Sequence, residues 1–81
     1  MALDILENAK RVIGIKQVTK SIQKDAVKSV FLGNDADERV VVPLKNLCET
    51  KKIALCEEYT MAELGKACMI EVGAAAVAIL K

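Results

Sequence analysis

The 81-residue chain has no histidine and no tryptophan, and only one proline, one phenylalanine and one tyrosine. Without histidine, the commonest general base and metal ligand is missing. Cys48, Cys56 and Cys68 are odd in number and widely spaced, matching neither a disulfide framework nor paired zinc ligands. They read as reduced, mostly buried thiols of a cytoplasmic protein. There is also no P-loop, no Gly-x-Ser-x-Gly elbow and no paired-carboxylate constellation, so neither an enzyme, a cofactor nor a metal site is expected. Phe31 and Tyr59 are too few to build the aromatic platforms on which many single-strand binders stack bases. No apolar run approaches the roughly 18 residues that cross a bilayer, and the N-terminus lacks a secretory pattern. A membrane is therefore not an expected partner.

More than half of the residues are hydrophobic, so the core must be aliphatic, drawn from Val, Ile, Leu and Ala. The length suits one domain spanning residues 1–81. The net charge of +1 hides a segregation. Lys10, Arg11, Lys16, Lys20, Lys24 and Lys28 face the single acid Asp25 within residues 10–28, and the remainder is acidic. On a helix, Lys16, Lys20 and Lys24 fall at i, i+4 spacing with Gln17 beside them, while Val18 and Ile22 point the other way. Like charges so spaced cost roughly 0.2–0.5 kcal/mol per pair, and a polyanion near the helix N-terminus would offset that cost. A solvated helix face accounts for the same lysines from charge alone.

In chain order, residues 3–11 are spaced as an amphipathic helix. Val12 and Ile13 predict a short strand that Gly14 turns into the lysine-bearing helix, about 15–25. Val27 and Ser29–Leu32 predict a strand ending at the turn Gly33-Asn34-Asp35. Pro43 fits a first helical turn, so residues 35–42 read as irregular or a single turn, followed by a helix over about 43–51. Asp35 and Asp37 read as caps. Residues 53–56 predict a strand. Thr60 and Glu63 form a capping box for a helix through about Ala67. The apolar segment 74–80 reads as a central strand covered on both faces, although alanine alone would favour helix. Short strands alternating with helices predict an α/β sandwich.

Two segments together resemble the kink-turn RNA-binding superfamily of ribosomal proteins L7Ae and L30e, small bacterial branch. Gly14-Ile15-Lys16-Gln17-Val18-Thr19-Lys20 is similar to its G-x-N-E-x-x-K signature. The stretch Leu64–Ile79 is similar to its L-G-x-A-x-G-I-x-V loop and terminal strand. Asp35-Ala36-Asp37 and the Leu44–Cys48 helix stand where members carry D-x-D and a leucine-rich helix. The resemblance covers the chain from about residue 9. It implies a three-layer α/β/α sandwich with a four-stranded mixed sheet. It also implies non-catalytic binding of kink-turns, RNA helices bent sharply beside tandem sheared G·A pairs, in ribosomal RNA, on the ribosome or in another structured RNA, by a monomer. DNA is not implied. Carried over by position, Gly14 is the turn glycine, Lys16 and Gln17 fall where members place Asn and Glu, Lys20 matches the family lysine, and Ile70, Glu71 and Val72 fall in the loop that touches the extruded nucleotide, with Ile15 and Met69 counted among the RNA-binding positions beside them. Lys16-Gln17 departs from Asn-Glu, and Met69 stands where glycine is usual.

The residues support that chemistry without the resemblance. A regular A-form major groove is too narrow for side chains, whereas a kink with non-standard pairs opens it to Lys16, Gln17 and Lys20. Lysine donates to guanine O6 and N7, and glutamine both donates and accepts. Ile70 and Val72 suit an unstacked base, or equally a core. Lys66 and Arg11 are candidate phosphate partners, or solvated surface. The competing reading is a protein-interaction module using the same basic face.

Overall fold

A computed structural model describes residues 10–81. Its elements run β1 (Arg11–Ile13), α1 (Ile15–Gln23), β2 (Val27–Leu32), α2 (Glu38–Lys51), β3 (Ala54–Cys56), α3 (Met61–Ala67) and β4 (Ala76–Leu80). Of the helix expected over residues 3–11, residues 3–9 lie outside the described residues, Lys10 belongs to no element and Arg11 already belongs to β1.

The strands form one mixed sheet in the order β1-β4-β2-β3. β4 is antiparallel to both neighbours, and β2 and β3 are parallel. The alternation of side chains along β4 explains the alanines that helix propensity would misread. Ala76 and Ala78 face one apolar cluster, in which Val18 and Ile22 of α1 meet Val41, Leu44 and Cys48 of α2. Val77 and Ile79 face the other, with Phe31 and with Leu64, Ala67 and Cys68 from the α3 side. Small side chains admit the two helices closely, and β4 is buried on both faces, as the sequence led us to expect. Helices therefore cover both faces of the sheet, which gives the three-layer α/β/α architecture.

The start of α2 differs from expectation. It begins at Glu38, not near Pro43, and Pro43 lies inside it. Asp37 sets the earlier start: its side chain accepts from the Arg39 N–H at 2.9 Å, and its carbonyl accepts from Val40 and Val41. An interior proline costs roughly 3 kcal/mol through its missing N–H and its clash with the previous turn. Burial of Val41 in the same helix as Leu44 and Cys48 opposes that cost. The other boundaries shift by no more than two residues. The Thr60–Glu63 capping box is formed in full. Asp35 accepts from the Met61 N–H at 2.8 Å, so both aspartates act as caps.

All three cysteines are free and buried. Burial pushes the Cys48 thiol up, and burial likewise raises Cys68, against the lowering effect of the neighbouring Arg11. Thiols so placed are poor nucleophiles. Among the described residues, no helix is long and apolar enough to cross a membrane, and no cluster of ligating side chains could hold a metal ion.

Candidate nucleic-acid interface

Gly14 caps α1 with φ +99°, a conformation that side chains rarely adopt, although open space surrounds the position of its absent Cβ. Glycine is needed here for backbone shape, not for room. Its N–H donates to the Ala76 carbonyl at 2.9 Å, which ties the turn to the start of β4. Having no side-chain acceptor, Gly14 leaves the first-turn N–H groups without a side-chain cap, and no acid stands in that turn. Lys16, Gln17 and Lys20 are exposed. Lys16, Lys20 and Lys24 form no ion pair with any described residue. Ile15 is half-buried against the core, and with Lys16, Gln17, Thr19, Lys20 and Gln23 it lines an open depression on the outer face of α1.

Beyond α3 the chain folds tightly. The Met69 N–H donates to the Lys66 carbonyl, and the Ile70 N–H to the Gly65 carbonyl, both at 3.0 Å. This is a Schellman motif, with Met69 in the left-handed position at φ +62°. The positive φ that glycine would serve is thus present and is occupied by methionine, at a cost of about 1–2 kcal/mol. The candidate loop residues divide. Ile70 packs against the core, whereas Met69 and Val72 are 73% and 70% exposed. Glu71 is exposed beside them, and Lys66 is exposed in the last turn of α3.

Two residues hold this segment in place. A Cβ on Gly65 would run into the Val72 carbonyl, so backbone meets backbone there without space for a side chain. Arg11 reaches across from β1 and donates from Nη2 to the Cys68 carbonyl at 3.2 Å, while its Nε is buried without a partner. Arg11 therefore acts as a strut for this segment, where the sequence left it between phosphate partner and solvated surface. The one hint in sequence is that Arg11 and Ile13 share a face of β1, and Ile13 packs against the cluster on the α3 side, as Ile70 does. Gly65 gave less warning, because a glycine inside a helix reads as a weakness until the packed neighbour is known.

Both segments border β1. Arg11 fixes the end of α3, Ile13 packs in the cluster that takes Ile70, and Gly14 continues directly into α1. A cationic, uncapped helix start and an exposed apolar ledge thus flank one edge strand.

These features define a small α/β/α sandwich with a polar and an apolar surface that both flank an edge strand. The chain belongs to the Ribosomal protein L7Ae/L30e/S12e/Gadd45 family, whose model matches residues 3–81. It is 40% identical over 81 residues to an RNA-binding protein of Bacillus pumilus, covering 99% of each chain. It is 45% identical over 69 residues to one of Caldanaerobacter subterraneus subsp. tengcongensis, covering 85% of this chain and 84% of that one. Among solved structures, the Giardia lamblia 15.5kD RNA binding protein superposes with a TM-score of 0.89 at 24% identity, over 98% of this chain and 70% of that chain. That likeness carries the fold.

Proposed function

We propose that this protein is a non-catalytic RNA-binding protein that recognises a kink-turn in ribosomal or other structured RNA. The observation that carries the reading is the juxtaposition beside β1 of unpaired lysines on an uncapped helix start with the exposed side chains of Met69 and Val72. The helix start suits phosphate and base-edge acceptors. The apolar ledge suits a base turned out of its stack, which a regular duplex does not offer. A sharply kinked RNA presents both surfaces at once. The family and the names of its curated relatives support RNA as the ligand class.

In this reading Lys16 and Gln17 address base edges, Lys20 a base edge or phosphate, and Met69 and Val72 the extruded nucleotide. Ile70 supports the loop from beneath, and Gly14 and Ile15 set the helix start. Lys66 lies within the same surface. Glu71 is the one acid of the ledge, and it repels phosphate while leaving base edges free to donate to it.

Calorimetric titration with a kink-turn RNA and a straight duplex of equal length tests the proposal. The expected result is binding at least about a hundredfold tighter to the kinked RNA, or about 2.7 kcal/mol. Equal affinity for both, or none for either, would overturn it and leave the same face to a protein partner. Lys20→Ala is expected to weaken binding. If the contact is to phosphate, the slope of log K against log salt falls by about 1. If the slope stays fixed while discrimination between the RNAs drops, Lys20 reads a base.

A further inference from the structure

Away from Gly14, at the C-terminal end of α1, lies a second basic surface that the proposed interface does not use. Several chain segments meet there. The Lys81 N–H donates to the Ala26 carbonyl at 2.9 Å, between Lys24 and Lys28 in sequence. Ser29 pairs with Ala54 in the parallel ladder, so Lys28 and Lys52 stand at the same end of the β2–β3 pair. The Leu80 N–H donates to the Lys10 carbonyl at 2.9 Å, which brings Lys10 beside the end of β4. Lys51 joins this end through its bond to Asp25 at 3.1 Å. That bond occupies Asp25, and counting Glu49 against these lysines still leaves the group basic.

Two further observations give this end direction. Lys52 adopts φ +57° at the end of α2, a position where glycine or asparagine would relax the backbone, and its ammonium pairs with no described acid. The charge of the molecule is also polarised. Asp35, Asp37, Glu38, Glu57, Glu58 and Glu63 cluster around the starts of α2 and α3. A polyanion leaving the α1 site is repelled from those helix starts. It is drawn instead along Lys16, Lys20 and Lys24, a stripe about 12 Å long at 1.5 Å rise per residue, toward Lys28, Lys52 and Lys81.

We propose that Lys28, Lys52 and Lys81 form a second phosphate-binding surface, which grips a duplex arm of the same RNA whose kink is held at α1. This rests on the RNA-binding reading above. Backbone contacts of this kind add affinity and salt dependence without sequence information.

The test uses the full chain and a triple variant, Lys28→Gln, Lys52→Gln and Lys81→Gln, which leaves α1 and residues 65–72 untouched. All three lysines are exposed, so the thermal midpoint should not move; a double variant retaining Lys52 guards the α2 turn. Kinked RNAs with both arms trimmed close to the kink are compared with RNAs in which each arm in turn is extended by a helical turn. The unmodified protein should bind one extended RNA about tenfold or more tighter than the trimmed RNA at low salt, with a salt slope steeper by about 2. The triple variant should lose that gain and bind the trimmed RNA as the unmodified protein does. An unmodified protein indifferent to arm length would overturn the second surface, as would a variant weakened equally on every RNA. A persisting preference for kinked over straight RNA shows that the first reading stands without the second. Loss of that preference defeats the first reading itself. Binding of an acidic protein that needs these lysines, with RNA affinity unchanged, would reassign the surface to protein.

Discussion

The two halves of the proposed interface are built in opposite ways. In the first turns of α1 the backbone is ordinary helix, and its proposed role rests on side chains: Lys16, Gln17 and Lys20 are exposed and make no side-chain hydrogen bond or ion pair with a described residue. In residues 65–72 the backbone itself is the constructed object. It is pinned by a glycine contact, two Schellman hydrogen bonds and an arginine strut, and it lifts Met69 and Val72 into solvent. One half should therefore tolerate substitution structurally while changing what it binds. The other should register substitutions first as altered stability and shape.

The largest effect is expected at Gly65. Substitution by alanine brings a Cβ against the Val72 carbonyl group and the Gly73 Cα, neither of which is a flexible side-chain tip. Alanine gains up to about 1 kcal/mol of helix propensity, which overpacking should exceed, leaving Gly65→Ala less stable by about 2 kcal/mol. For a chain of this size that lowers the thermal midpoint by roughly 8–16 °C. Lys16→Ala, on the other half, should stay within about 0.5 kcal/mol of the unmodified protein. If Gly65→Ala melts with the parent, the loop moves freely and the contrast between the halves fails.

A smaller effect is expected at Arg11. Arg11→Met keeps most of the packing, removes the bond to the Cys68 carbonyl and also removes the buried, unpartnered Nε. A hydrogen bond from a charged donor contributes about 1.5–3 kcal/mol, and relief of the unpaired Nε opposes its loss, so net destabilisation should be about 1 kcal/mol. The sharper readout is local. Exchange of the Ile70 amide, which donates to the Gly65 carbonyl, should speed up more than that of amides in the β2–β4 ladder. Uniform acceleration would mean that Arg11 stabilises the fold generally and does not brace the loop.

Where interactions are local, the sequence disclosed them. The Thr60–Glu63 capping box and the opposed lysine and valine–isoleucine faces of α1 follow from spacing alone, and the burial of β4 on both faces follows from its unbroken apolar run. The early start of α2 was hidden because Pro43 is a strong local signal, overridden by the Asp37 cap and by burial of Val41. Arg11 was left between phosphate partner and solvated surface because its partner Cys68 lies 57 positions away, and sharing a strand face with Ile13 does not by itself mark an arginine as a strut. Gly65 depends on a backbone approach that only the folded loop creates. Of the proposed interface, the helical half was legible as a surface and the loop half chiefly through resemblance.

Met69 tests whether the loop's strain is kept for function. Its φ of +62° is the left-handed conformation that closes a Schellman motif, and glycine adopts it freely. Met69→Gly relieves about 1–2 kcal/mol of steric cost but gives the unfolded chain more freedom, worth about 0.4–1 kcal/mol in the opposite sense. The side chain is 73% exposed, so little burial is lost. The expected balance is a gain of about 0.5–1 kcal/mol, a rise of roughly 2–8 °C in the thermal midpoint. If the thioether chain packs against an extruded base, the same variant should bind kinked RNA more weakly despite its greater stability, because that apolar contact is gone. Opposite movements of melting temperature and affinity would show methionine retained at a strained position for its contact with RNA. Greater stability with unchanged affinity would assign the ledge to Val72 alone, and lower stability would mean that the positive φ carries less strain than its geometry implies.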